Sequence, residues 1–321
     1  MEKELLKFCR KMLSKVSRSF ALTIPFLNDS IYEPVMVTYL QDRLLDNFED
    51  EVQNITLSRR KNLMDRVVNI FDPESDRSQE SLEIIKDNAS LLSDENLHKL
   101  TVNADKLLAA YNSLEKEIRD ISFKWLQEMN NGMKKYLTKE VKTFKDLDEY
   151  CYYVAGTVGG FLTDTIIYKE NIEDEKAENL KNTFKEAGLF LQKINLVRDV
   201  KNDIKEMDKS FWPVKDLDIE ENRLLNEEYR EHSLKALKRM IIDIKEHIPA
   251  VVKYYQNLPD TLPGYRKFYC VNKALGLATI EKMENNPDIF YGRKVKVGKL
   301  KFLRIINSPE KHFEKMTHDF V

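Results

Sequence analysis

Two stretches of the chain gather carboxylates at helical spacing. In Tyr39-Leu-Gln-Asp-Arg-Leu-Leu-Asp-Asn-Phe-Glu-Asp-Glu51, Asp46 and Asp50 stand four apart and Glu49 stands three from Asp46, so a helix puts all three on one face. Like charges at that spacing destabilise a helix by roughly 0.2–0.5 kcal/mol per pair. Such a row is either a solvated acidic face or a place for a cation. Leu191-Gln-Lys-Ile-Asn-Leu-Val-Arg-Asp-Val-Lys-Asn-Asp203 repeats the arrangement, with Asp199 and Asp203 one turn apart and Asn195 one turn earlier. Two rows, each inside an otherwise core-like helix, would form a cage for hard cations if they faced each other. Magnesium suits such a cage, because it is held by a few carboxylates and keeps positions open for phosphate oxygens. Arg43 and Arg198 lie within one turn of the carboxylates. Each can grip phosphate in a bidentate way or neutralise the acidic face, and the two roles are compatible.

The elements that must carry these rows are helices. Ile31, Val35, Tyr39, Leu40, Leu44 and Phe48 trace a three-to-four stripe that predicts a helix over 31–51. Similar patterns predict helices over about 55–71, 97–114, 115–137, 144–168, 175–204, 233–247 and 265–283. The polar stretch Asp72 to Glu80, with Pro73, predicts a loop. Only 9 Gly and 9 Pro punctuate 321 residues, which favours long helices over many strands and turns. No internal repeat or linker is present, so the expectation is one all-α domain over residues 1–321. A net charge of -2 gives no reason to expect a nucleic-acid partner. No run approaches the ~20 apolar residues of a membrane span, and the N-terminus does not read as a signal peptide. Cys9, Cys151 and Cys270 are scattered, as buried thiols in a reducing compartment would be. The five histidines form no zinc-type cluster.

Taken in order, these pieces resemble the squalene/phytoene synthase family from near the N-terminus to about Lys299. Ser17-Arg-Ser-Phe20 is similar to the family's SRSF element, ahead of Tyr39, Arg43 and the first motif, Asp46 to Asp50. Tyr150-Cys-Tyr-Tyr-Val-Ala-Gly156 resembles its YCHYVAG. Gln192 and Asn195 precede the second motif, Asp199 to Asp203, and Phe211-Trp-Pro213 resembles the FWP that follows it in squalene synthases. Phe268 to Ile280 resembles a later helix of the family. The departures are Asn202 where a glutamate is usual, and Tyr269 and Asn272 in place of Cys and Pro.

The resemblance implies a single-domain isoprenoid synthase fold, a helical bundle around a central cavity. It implies head-to-head condensation of two farnesyl diphosphates to presqualene diphosphate, then reduction to squalene. It implies Mg2+, with Mn2+ as the alternative ion, and NADPH, with NADH as the alternative reductant. Asp46, Glu49, Asp50, Asn195, Asp199 and Asp203 would hold metal, while Tyr153, Arg43 and Arg198 would serve the chemistry. Ser17, Arg18, Ser19, Phe20, Tyr39, Gln192 and Phe268 would bind substrate. Lys11 and the basic segment Arg293 to Lys301, with Arg293, Lys294 and Lys296, would bind the reductant, although each lysine also suits a solvated surface. No GxGxxG element is present, so a Rossmann domain does not hold the nicotinamide. The expected location is cytoplasmic and peripheral to the membrane, since a hydrocarbon product must leave toward lipid. Ala155, Gly156, Gly159 and Gly160 would either leave room for a prenyl chain, kink the helix, or let helices pack closely. Rivals are a phytoene or dehydrosqualene synthase without reduction, a head-to-tail prenyltransferase or terpene cyclase, and a non-catalytic helical assembly protein of the same family.

Overall fold

A computed structural model describes residues 1–17, 19–52, 55–207, 210–220 and 223–320, the side chain of Met207 excepted. Among these residues the regular structure is helical throughout. The helices are α1 (Lys3–Val16), α2 (Asp29–Asp50), α3 (Leu57–Phe71), α4 (Ser78–Asp87), α5 (Glu95–Val102), α6 (Ala104–Asn112), α7 (Lys116–Tyr136) and α8 (Phe144–Cys151). They continue with α9 (Thr157–Lys169), α10 (Asp174–Met207), α11 (Arg230–Glu246), α12 (Ile248–Gln256), α13 (Pro263–Met283), α14 (Lys299–Asn307) and α15 (Pro309–Thr317). No described helix is long and apolar enough to cross a membrane. The three cysteines are buried free thiols. The chain resolves into two compact units, Met1–Thr138 with Phe161–Asn171, and Lys139–Gly160 with Ile172–Val321.

In the first unit α2 is central and packs on α1, α3, α6 and α7. Its apolar stripe behaves as its spacing predicts, with Ile31, Leu40, Leu44 and Phe48 fully buried. What remains is a second stripe of half-buried polar side chains: Tyr39, Asp42, Arg43, Asp46 and Asp50. Two predicted boundaries move. The helix expected over 97–114 is broken at Asn103, which caps both α5 and α6. The loop expected over 72–80 ends early, because Ser78 begins α4 and its Oγ donates to the Ile70 carbonyl at 2.7 Å. Short polar side chains compete for backbone groups in this way and set helix ends that periodicity alone does not show.

The second unit is built on α10, whose 34 residues span about 51 Å. It packs on α8, α11, α12 and α13. Thr143 and Asp146 form a reciprocal capping box that starts α8. Between α8 and α9 the backbone forms a π-helical turn, Tyr152–Gly156. Two close approaches of backbone lie against this region. A side chain at Gly188 of α10 would come within 2.7 Å of the Ala155 carbonyl oxygen, and one at Gly159 within 2.9 Å of the Phe184 carbonyl oxygen. Gly159 and Gly188 therefore permit close helix packing beside the π turn. Phe211 stacks on Tyr150 at 4.3 Å, and Trp212 lies edge-on to Phe290 at 5.6 Å. The segment after α10 is thereby held to the body of its unit.

Candidate active site

In the first unit Tyr39, Arg43, Asp46 and Asp50 lie along one side of α2, with Ser17 and Phe20 beside Tyr39. Ser17 ends α1, and its Oγ accepts the Phe20 backbone N–H at 3.1 Å. The Phe20 ring lies 5.5 Å from the Tyr39 ring. Burial raises the Tyr39 phenol above its ordinary value, while a hydrogen bond with Ser17 and the charge of Arg43 act against that rise. Arg43 reaches Asp46 at 3.5 Å and Glu51 at 3.3 Å, and its Nε is buried with no hydrogen-bond partner among the described residues. Ser19 is exposed at the start of the next turn, and Lys11 is exposed on α1. Arg18 lies outside the described residues.

The acidic row is longer than the motif suggests. Asp42 precedes Asp46 by one turn, and burial together with the charge of Asp46 pushes its carboxyl well above the usual range. Burial raises Asp46 to about 6; Arg43 opposes the shift, and Asp50 and Glu51 add to it. Glu49 is buried at 2 % exposure, unlike the half-buried Asp46 and Asp50. The charge crowded at Asp42 and Asp46, both raised by burial and by neighbouring carboxylates, is what a divalent cation would relieve, so this donor set fits magnesium. The buried, unpartnered Nε of Arg43 fits a phosphate oxygen beside it.

In the second unit Gln192, Asn195, Arg198, Asp199 and Asp203 follow one another along α10, all half-buried. Burial alone would raise the Asp199 carboxyl, but Arg198 and Lys294 outweigh it and hold the group below its ordinary value. Arg198 donates through Nε at 3.2 Å and Nη2 at 2.5 Å, and the Lys294 Nζ lies 2.7 Å from Oδ1. Lys294, itself exposed, is thus brought from the basic segment onto the second motif, whereas Arg293 and Lys296, equally exposed, engage no carboxylate among the described residues. Lys201 fixes that segment by donating to the carbonyls of Gly292 at 2.9 Å and Tyr291 at 3.4 Å. The all-oxygen donors Asp199, Asp203 and Asn195 also fit a hard cation, which would take over neutralisation from Arg198 and Lys294. Tyr153 sits half-buried in the π turn, 5.3 Å from the Tyr152 ring. Phe268 is buried on α13 beside Tyr265, at 5.9 Å.

Sequence reasoning missed two further groups. Lys193 is fully buried and bridges Asp148 at 2.5 Å and Asp243 at 2.6 Å, tying α8, α10 and α11. His247 lies with these carboxylates within 4.8 Å, and its Nδ1 meets Glu186. The ammonium of Lys193 already serves those acids as their cation. Lys273 of α13 is also buried; it donates to the Ala187 carbonyl, and burial lowers its amine to about 7. The raw signal for both was a lysine within an apolar helical stretch.

The structure is similar to solved helical synthases. It matches TcSQS in complex with the ligand BPH1237 at a TM-score of 0.85 and 29% identity, over 99% of this chain and 90% of that one. A dehydrosqualene synthase shares the fold at a TM-score of 0.62 and 16% identity. A family model for squalene/phytoene synthase matches residues 13–301, and the chain belongs to that family. Squalene synthase 8 of Panax ginseng is 33% identical over 290 residues, 89% of this chain and 69% of its own length. Squalene synthase of Solanum lycopersicum is likewise 33% identical over 290 residues, 66% of its length. The chain spans about two thirds of these relatives.

Proposed function

We propose that this chain is a farnesyl-diphosphate farnesyltransferase of the squalene synthase type, joining two farnesyl diphosphates to presqualene diphosphate and reducing that to squalene. The observation that carries this reading is the pair of carboxylate rows, each with cationic partners suited to diphosphate, in a chain 33% identical to squalene synthases over 89% of its length. Magnesium, or manganese in its place, would supply charge neutralisation for the departing diphosphate through Asp42, Asp46, Asp50, Asp199 and Asp203, with Glu49 and Asn195 in support. NADPH, or NADH, would supply the hydride of the second step.

The chain's own groups do the rest. Arg43 and Arg198 orient diphosphate oxygens, and the Arg43 Nε is a donor awaiting an acceptor. Tyr153 is the group we assign to proton transfer in the first half-reaction. Ser17, Arg18, Ser19, Phe20, Tyr39, Gln192 and Phe268 bind the prenyl diphosphate; the aromatic members present faces that stabilise cations without trapping them. Lys294 neutralises Asp199, and Lys11, Arg293, Lys294 and Lys296 are the cations we assign to the anionic reductant. The family match runs through both compact units, which supports one functional domain over 1–321. The location we assign is cytoplasmic with peripheral membrane contact.

Product analysis tests the reading. Farnesyl diphosphate and magnesium should give squalene only when NADPH is added, and presqualene diphosphate without it. A more unsaturated triterpene in both reactions would replace squalene synthesis with a dehydrosqualene reading.

A further inference from the structure

We propose that α14, with Leu300 and Leu303 beside Lys299 and Arg304, is a docking face for an anionic phospholipid surface. It goes beyond the functional reading by assigning the face, and it rests on that reading only for its purpose: delivering a hydrocarbon at a lipid surface.

The helix has two unlike sides. Ile305 is fully buried, and α14 packs on α13 and α15. On the opposite side Leu300 is 73% exposed and Leu303 45% exposed. They stand three apart and so share a face. Single exposed leucines are ordinary on any surface; a pair at helical spacing inside a cationic segment is not. Residues 293–304 contain Arg293, Lys294, Lys296, Lys299, Lys301 and Arg304 and no acidic residue. Lys294 pairs with Asp199 and Lys301 with Glu281. The other four cations engage no carboxylate among the described residues. Exposed leucines on the same short helix as Lys299 and Arg304, neither of which engages a carboxylate among the described residues, are complementary to a negatively charged headgroup layer above acyl chains. A soluble polyanion would use the charges and leave the leucines without a role.

The root of the segment is fixed rather than loose. Besides the two lysine contacts already described, the Tyr291 hydroxyl lies 3.2 Å from the Asn226 carbonyl and from Ser233 Oγ. A lipid-bound α14 is therefore joined through a short, pinned strap to the second aspartate row.

The test is co-sedimentation of the full chain with phosphatidylserine-rich vesicles and with pure phosphatidylcholine vesicles, at low and high salt. The wild type should pellet with the serine-rich vesicles, less so at high salt, and weakly with phosphatidylcholine. Arg304→Gln should lower partitioning about fivefold. Leu300→Ser with Leu303→Ser should lower it about tenfold or more. Circular dichroism should report an unchanged fold, since these side chains face outward. Absence of wild-type binding to serine-rich vesicles, or equal binding by all variants, overturns the proposal. So does a leucine variant whose only change, without lipid, is a smaller oligomer in analytical ultracentrifugation, because that assigns the face to a second copy. Turnover of farnesyl diphosphate is measured separately: its absence with intact vesicle binding would overturn the enzymatic reading and leave the docking face standing.

Discussion

Asp42, Asp46 and Asp50 repeat every four residues on α2; the charge of Asp46 makes Asp42 harder to ionise, and that of Asp50 does the same to Asp46. Arg43 offsets only part of that repulsion, whereas Asp199 is already matched by Arg198 and Lys294. The two rows therefore differ in what they lack. Asp46→Ala and Asp199→Ala should each lower turnover by several orders of magnitude while the circular dichroism spectrum is retained, because neither side chain fills the core. Unchanged turnover in both would remove the metal assignment. Lys273 gives a separate pH signature. Its amine falls from 10.5 to about 7 on folding because burial penalises the charged form. The unfolded chain thus binds more protons between about pH 7 and 10, so stability should rise with pH across that window. The penalty is full below pH 7 and amounts to roughly 3–5 kcal/mol. Lys273→Met should raise the melting temperature at pH 7 and flatten the slope toward pH 10. A wild type equally stable at pH 7 and 9.5 would contradict this.

At the scale of elements, α8, the π turn and α9 form one interrupted helix, and α10 lies against the interruption. A π turn shifts every following side chain around the helix axis relative to an unbroken α-helix, so it sets where Tyr153 points. Gly188 is the residue that permits the approach. Gly188→Ala would push a methyl group to within 2.9 Å of Gly156 Cα as well as onto the Ala155 carbonyl, both backbone atoms that cannot step aside. The expected result is a loss of about 1–3 kcal/mol in denaturant unfolding. Turnover should fall more than that destabilisation explains at temperatures where the variant is folded. Helix existence was legible from the spacing of apolar residues, as α2 and α13 show within two residues of their predicted starts. The break at Asn103 and the early start at Ser78 were not, because single hydrogen bonds of short polar side chains decided them.

For the whole molecule, ligand linkage gives the broadest check. Magnesium with inorganic pyrophosphate, at about a hundred times the dissociation constant, should stabilise the folded chain by about 2.7 kcal/mol. A thermal shift of a few degrees that needs both components, and that vanishes in Asp46→Ala, is the expected outcome; a chelator should abolish turnover, and added magnesium should restore it. A shift with pyrophosphate alone would mean that the arginines and lysines bind it without metal.

The residues themselves determined the all-helical class, the two acidic rows, their arginines and the order of elements that marks the family. All of these depend on spacing within one helix or on short sequence pieces, and an α-helix converts such spacing directly into a shared face. Tertiary structure alone decided which groups meet across long stretches of chain. It set Lys294 on Asp199, Lys193 between Asp148 and Asp243, and Gly188 against the π turn. It also decided which charges lie buried, raising Asp42 and Asp46 and lowering Lys273. Burial is a property of neighbours supplied by other helices, and no local periodicity carries it.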